Sequence, residues 1–385
     1  MRILLVYAAA DWSVVDVSSG YEDALRTLGH EVKIFRLSRR IDFWSESLEH
    51  WANIHGEDPP DVHRVLRETC DWVLVEAARF KPDLVLITSA MGFHPDALQL
   101  LKEAGYPIAV ACSESPYDDV HHAQLAPLVH WLFVNDRNSV EALEPFNPGN
   151  VYYLPTAYSE SVHRPGLPWP STASVEAPLE TDVLFIGTGF GERQRFLEEA
   201  LRDPAWPLDA SIQFHGFFGF AGSSADPDQS KNQDLGDNWE NSPMRPYCFP
   251  PVTNDETAAR YCRAKVVLNL YRDGAGYSMN PRAYEIAACG AFQLAQDVVQ
   301  EAHDVFGNSI GYFTTPHDLA IQVALYLKDG RARVQMARLS MKRVQGHSYT
   351  DRARALLSVV APPEPPVGLS DAPPVRYGES LVRQE

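Results

Sequence analysis

The sequence predicts an α/β protein of two Rossmann-like domains facing each other across an interdomain cleft. Three observations lead there. The chain has 385 residues, more than the roughly 250 to 300 at which single hydrophobic cores stop growing. Continuous apolar runs alternate with longer amphipathic stretches, the form taken by parallel strands buried on both faces and joined by crossover helices. Between Arg164 and Glu180 the composition turns to Pro, Ser, Thr and Glu with few periodic apolar residues, the character of an interdomain connection.

These observations divide the chain into a first domain at 1–163, a linker at 164–180, a second domain at 181–345, a C-terminal helix at 346–361 and a tail at 362–385. In the first domain the apolar runs place strands at 3–7, 31–35, 84–88, 108–112, 131–134 and 151–153. A helix is expected from Ser18 to a left-handed stop at Gly29. In the second, strands are expected at 183–186, 212–215, 266–270, 292–295 and 311–313. Residues 217–250 are rich in Gly, Ser, Asp and Asn and too numerous for a simple connector, so they read as a functional or a disordered loop. The tail carries repeated proline pairs without an apolar period and reads as disordered.

Composition bounds the function. With 45% apolar and 22% charged residues the chain is globular. No stretch approaches the roughly 18 to 20 apolar residues of a membrane span, and the apolar start at 1–10 reads as a buried strand rather than a signal peptide. The five cysteines are scattered, without CxxC or Cys/His spacing, so neither a disulfide framework nor a zinc site is expected, and a reducing, cytoplasmic compartment fits. The net charge of −18 would repel a phosphate backbone, which argues against a nucleic-acid partner.

The most informative window runs from Ala259 to Asp297. The buried strand at 266–270 carries at its carboxyl end Asn269, Arg272 and the glycine-rich turn Asp273-Gly274-Ala275-Gly276, where open α/β sheets bind ligands. Asn280 reads as a helix N-cap with Pro281 in the first turn and Gly290 as the stop. The free amides and positive dipole end of that helix suit a diphosphate. Arg282 adds a cation, and Glu285 a carboxylate able to accept from two ribose hydroxyls; the same pair also reads as an ordinary exposed i,i+3 ion pair. A second anion site is expected where a strand enters Gly187-Thr188-Gly189-Phe190-Gly191, followed by Arg193 and Arg195. The spacing is GxGxG, and the opening strand is followed by no glycine fingerprint, so a nicotinamide or flavin cofactor is not expected.

On the opposite side of the cleft, Glu114 and His94 each follow a buried strand and are candidates to deprotonate an acceptor hydroxyl. They also read as a capping or solvated acid and as a loop histidine packed on Phe93. His121 and His122 are expected on a helix surface, and Asp11 and Ser18 are weaker candidates for the cleft.

The segment Tyr261-Cys262-Arg263-Ala264-Lys265-Val266-Val267-Leu268-Asn269 followed by Arg282-Ala283-Tyr284-Glu285-Ile286-Ala287-Ala288-Cys289-Gly290-Ala291 resembles the C-terminal domain of CgeB-like (spore maturation protein-like) glycosyltransferases. Lys81-Pro82-Asp83, the Ser115-Pro116-Tyr117-Asp118-Asp119 loop, Phe185-Ile186-Gly187 with Arg193, and His347-Ser348-Tyr349 with Arg352 follow the family's order, so the resemblance reaches about Leu357. It implies a GT-B architecture and a hexosyltransferase-like, metal-independent enzyme without a cofactor. A nucleoside diphosphate sugar would be the donor, held mainly by the second domain. The acceptor would be a glycan, protein or small molecule held by the first. By position, Glu285 would hold the ribose, Arg282 and Arg193 the diphosphate, and Asn269 and Arg272 would line the donor pocket. Related transferases often carry a second glutamate eight positions before the ribose-binding one; here Tyr277 stands there, which leaves retention or inversion open. The only Asp-x-Asp, Asp226-Pro227-Asp228, lies in the long loop and reads as solvated.

Three other readings compete with glycosyl transfer: epimerisation or hydrolysis of the sugar nucleotide, a nucleotide-sugar-binding protein without catalysis, and an NAD-dependent oxidoreductase, which would need the missing fingerprint.

Overall fold

The structure is a computed structural model that describes residues 1–7, 9, 11–165, 180–219, 239–252 and 254–360. Six strands, β1 (Arg2–Tyr7), β2 (Glu31–Arg36), β3 (Leu84–Thr88), β4 (Ile108–Ala111), β5 (Trp131–Val134) and β6 (Val151–Tyr153), form one sheet in the order β2-β1-β3-β4-β5-β6. A second sheet of six contains β7 (Thr181–Ile186), β8 (Ile212–His215), β9 (Cys248–Phe249), β10 (Ala264–Asn269), β11 (Gln293–Gln296) and β12 (Gly311–Phe313), in the order β12-β11-β10-β7-β8-β9. All pairings within both sheets are parallel.

Helices cover both faces. Around the first sheet lie α1 (Asp11–Thr27), α2 (Leu37–His55), α3 (Val62–Phe80), α4 (Pro95–Glu103), α5 (Asp119–Leu125) and α6 (Arg137–Leu143). The second sheet is flanked by α7 (Gly191–Arg202), α8 (Asn254–Arg263), α9 (Pro281–Ala288), α10 (Gln300–Phe306), α11 (Pro316–Lys328) and α12 (Gly330–Arg343), and the described chain ends in α13 (Tyr349–Val360). The unbroken apolar run of β1 follows from this layering. Leu4 and Val6 pack with Cys70 and Val73 of α3 and Leu98 of α4. Ile3, Leu5 and Tyr7 pack with Val17, Tyr21 and Leu25 of α1. A strand that buries alternate residues on opposite faces must be apolar at every position.

The C-terminal helix α13 returns to the first sheet. Tyr349, Ala353 and Leu356 join the cluster of α1, and Gly20 of α1 has no space for a Cβ, which would lie 2.2 Å from the Tyr349 ring. The return is tied where the chain leaves the first sheet. Arg352 donates to the carbonyls of Pro155 at 2.9 Å and Thr156 at 3.3 Å, and the Tyr349 amide donates to the Tyr158 carbonyl at 2.9 Å.

Some expectations shift. Helix α1 begins at Asp11 rather than Ser18, because Val14 and Val17 are buried and tertiary packing outweighs their weak helix propensity. Ser18 does not face a ligand: it is buried against the Thr88 hydroxyl at 2.7 Å. His122 is not on a surface either; it is fully buried beside Ser115 and Asp119, and only His121 is partly exposed. Strand β9, whose two residues are too few to show a period, lies inside the stretch read as a loop and pairs with Phe214 and His215. Residues 166–179 of the linker, 220–238 with Asp226 and Asp228, and the tail lie outside the described residues.

The strand order positions the site. From β7 the chain proceeds to β8 and β9 on one side, and from β10 to β11 and β12 on the other, so the order reverses between the paired neighbours β7 and β10. Crossover helices leave a crevice at the carboxyl ends of strands at such a reversal. Gly187 follows β7 there, and Asn269 ends β10.

Candidate active site

At the crevice the helix start read from the sequence is formed. Asn280 has an extended backbone and its side-chain oxygen accepts from the Ala283 amide at 3.2 Å, Pro281 follows, and Gly290 takes φ 69° after the last turn. The Asn280 amide group donates to Asn269 Oδ1 at 2.9 Å, and Arg282 Nη1 donates to the same oxygen at 3.1 Å. The Arg282 guanidinium also lies 5.0 Å from the centre of the Phe185 ring.

Arg193 and Arg272 converge on the same place. Arg193 is buried and donates to the carbonyls of Thr188 at 3.1 Å and Tyr271 at 3.3 Å. Burial, and after it the neighbouring Arg282 charge, disfavour its protonated form and push it down to about 9. Arg272 lies between two rings, 4.4 Å from the Phe190 centre and 4.6 Å from that of Tyr117, which belongs to the first domain. None of the three arginines has a carboxylate within 4.0 Å among the described residues. Three guanidiniums that no described carboxylate contacts, near a helix N-terminus, are an arrangement suited to a multiply charged anion.

The glycines act differently from the expectation. The Gly187 amide donates to His215 at 2.9 Å and the Gly189 amide to Phe217 at 2.8 Å, so neither is offered to a ligand. Their service is space: a Cβ on Gly187, whose φ is +155°, would lie 2.1 Å from Arg282 Nη2. The close approach that requires glycine is that of a side chain of the same protein.

Arg282 and Glu285 are not an exposed ion pair. No contact within 4.0 Å joins them, and Glu285 is buried with no side-chain hydrogen bond among the described residues. Burial raises its carboxyl to about 7, with the Arg282 charge opposing. The sign for stability follows. Between the ordinary carboxylate range near 4.5 and about 7, folded Glu285 keeps a proton that the unfolded chain has released, so its contribution falls as pH rises through that window. Glu285→Gln, which cannot ionise, should therefore gain on the parent by about 3 kcal/mol between pH 4 and pH 8. Urea unfolding of both proteins at the two pH values measures this; a pH-independent difference would show that Glu285 is not held protonated.

Tyr277 lies at the join of the two halves. Its hydroxyl donates to Asp304, and its ring is 4.6 Å from the Arg137 guanidinium. On the first-domain side, Glu114 accepts from the hydroxyls of Ser89 at 2.6 Å and Ser113 at 2.7 Å and from the Ser113 amide at 3.1 Å. Three of its roughly four acceptor positions are thus engaged by its own loops. His94 caps α4, its Nδ1 accepting from the Asp96 amide at 3.2 Å, which leaves Nε2 without a partner among the described residues.

Sequence reasoning missed Asp136, Tyr153 and Glu301, which join the halves. Asp136 could have been found, since it stands between a buried strand and a helix as an N-cap and accepts from the Asn138 amide at 2.9 Å. Glu301, in the first turn of a surface-like helix, carries no local signal.

No helix among the described residues is long and apolar enough to cross a membrane, and none of the five cysteines forms a disulfide among the described residues. Residues 193–358 match the model of the "Glycosyl transferase-like" family. Spore protein CgeB of Bacillus subtilis (strain 168) is 23% identical over 316 residues, covering 78% of this chain and 88% of CgeB. In fold, the chain is similar to sucrose-phosphate synthase from Thermosynechococcus elongatus, with a TM-score of 0.63 at 13% identity over 93% of this chain and 98% of the other. It is also similar to HepE of Anabaena in complex with UDP-glucose, with a TM-score of 0.58 at 13% identity over 93% of this chain and all of the other. The two parallel sheets and these likenesses show the GT-B fold, and the chain carries a glycosyl transferase-like domain over residues 193–358 and resembles CgeB.

Proposed function

We propose that the protein transfers a glycosyl group from a nucleoside diphosphate sugar to a hydroxyl of a glycan, protein or small molecule in the cytoplasm, with arginines rather than a metal ion neutralising the departing diphosphate. The observation that carries this is the convergence of Arg193, Arg272 and Arg282, without a carboxylate, on the start of α9. The bond from the anomeric carbon to the diphosphate oxygen breaks as the acceptor oxygen bonds to that carbon. Negative charge develops on the diphosphate, where fixed guanidiniums and helix amides lower its energy without having to reorient. Glu285 accepts from the ribose hydroxyls, while Asn269, Asn280, Gly187, Gly189 and Tyr277 shape the pocket. The second domain, 181–345, is the donor half and the first, 1–163, the acceptor half. Of the two groups considered for taking the acceptor proton, we assign Glu114, whose carboxylate keeps one acceptor position open, over His94, whose Nδ1 accepts from the Asp96 amide so that the neutral ring carries its proton on Nε2.

HepE, similar in fold, is described in complex with UDP-glucose, which makes a uridine nucleotide the first to try. Thermal unfolding is measured with UDP, GDP, ADP, CDP and dTDP and with NAD as the contrast. A ligand at a hundred times its dissociation constant stabilises by about 2.7 kcal/mol, so binding should be plain. A shift with NAD and none with any nucleoside diphosphate overturns the donor assignment.

A further inference from the structure

We infer that the first domain completes the donor site through a clasp on residues 276–279, in which Asp136 is a positioning residue for the helix that faces the diphosphate. The inference rests on the reading of the α9 N-terminus as the diphosphate site. Its physical basis is a continuous run of hydrogen bonds from one domain to the other. Asp136, at the carboxyl edge of the first sheet, is buried and serves two elements at once. Its Oδ1 accepts from the Asn138 amide and caps α6, while its Oδ2 accepts from the Ser278 amide at 2.9 Å. The next residue is held as well: the Met279 amide donates to Glu301 at 2.6 Å, and Glu301 in turn accepts from Tyr153 at the end of β6. The Tyr153 hydroxyl also lies 3.1 Å from that of Ser278.

After these two anchored amides comes Asn280, which caps α9 and reaches Asn269, and Asn269 holds Arg282. Two consecutive residues before the cap are therefore fixed by groups that belong to, or lean on, the first domain. Arg137 closes the outer side, its guanidinium 4.6 Å from the Tyr277 ring and 5.2 Å from that of Tyr153. Gly276 shows how tightly the parts meet. A Cβ there would lie 2.4 Å from Asp136 Oδ2, and the backbone does not have the left-handed conformation that would itself require glycine. Space against Asp136 is what that position demands.

Closure of the two domains and the aim of the α9 amides and Arg282 are thus one event. Donor binding favours the clasped arrangement and the clasped arrangement favours the donor, since coupling between two sites is reciprocal.

The test uses Asp136→Asn and Gly276→Ala in the full chain. The asparagine keeps one oxygen for the α6 cap while losing a charged acceptor, and the alanine presses on the clasp from the other side. Titration calorimetry with UDP, GDP, ADP, CDP and dTDP, and the radius of gyration of the nucleotide-free protein by small-angle scattering, are measured for each. Both variants should bind the nucleotide that the parent binds about 5- to 20-fold more weakly, and both should be more expanded. A merely structural role would lower the unfolding temperature and leave the affinity of the folded protein unchanged, which overturns the inference. If the parent binds no nucleoside diphosphate, the donor reading fails, and scattering decides the clasp alone: equal radii in all three proteins overturn it.

Discussion

Arg282→Ala should weaken binding of the donor nucleotide by roughly 100-fold while leaving the protein folded. A guanidinium facing a diphosphate makes charge-assisted hydrogen bonds, each contributing about 1.5 to 3 kcal/mol, and a loss of about 2.7 kcal/mol corresponds to that factor. The fold should tolerate the change. Among the described residues Arg282 donates only to Asn269 Oδ1 and the Leu270 carbonyl, and its charge bears unfavourably on buried Arg193. Removing it relieves that repulsion. Arg282→Lys should recover part of the affinity, because an ammonium supplies charge without the planar fork that reaches two oxygens. Calorimetric titration with the nucleotide identified by thermal shift measures both variants. Parent-like affinity in a folded Arg282→Ala protein would remove the residue from the diphosphate site and with it the main support for the donor reading.

Glu301→Ala should cost about 3 to 5 kcal/mol of folding stability, because it strips a buried site of its acceptor. Glu301 is 4% exposed, and its removal strips the Met279 amide of its acceptor and leaves the Tyr153 hydroxyl only that of Ser278 among the described residues. Burial raises the Glu301 carboxyl above the ordinary range, and the bonds from Tyr153 and Met279 oppose that rise. Its worth therefore lies in the donors it satisfies more than in its charge, so Glu301→Gln, which keeps an acceptor oxygen, should cost clearly less. Urea unfolding of the three proteins decides this. Equal losses for alanine and glutamine would mean that the charge itself is what the site requires.

The two cases differ in how far they could be read in advance. Arg282 stands in a local frame whose parts are neighbours in sequence: an Asn-Pro start, a first-turn cation and a glycine stop. Each follows from backbone hydrogen bonding within one turn of helix, so its position at the helix N-terminus was legible. What was not legible is the direction of its side chain. Spacing alone left an exposed ion pair with Glu285 open, whereas Arg282 turns to Asn269 and Phe185 on the preceding strands and Glu285 turns inward. Gly187 and Gly189 illustrate the same limit. A strand entering glycines signals a close approach, but whether a phosphate or a side chain approaches depends on β8 and α9, 29 and 95 residues away when counted from Gly187 to Gly216 and Arg282.

Sequence by itself determined the alternation of strand and helix, because a parallel strand buried on both faces leaves a continuous apolar run and a crossover helix leaves an amphipathic one. It also determined the capped start of α9 and, through a short pattern, carried the resemblance to the family. Tertiary structure alone decided which strands are neighbours, and hence that β7 and β10 meet at the crevice; it also returned α13 to the first sheet and brought Asp136, Tyr153 and Glu301 onto residues 276–279. Periodicity records the environment of each residue along its own element. Contacts between elements depend on how several amphipathic faces are buried together, and that is a property of the assembled chain.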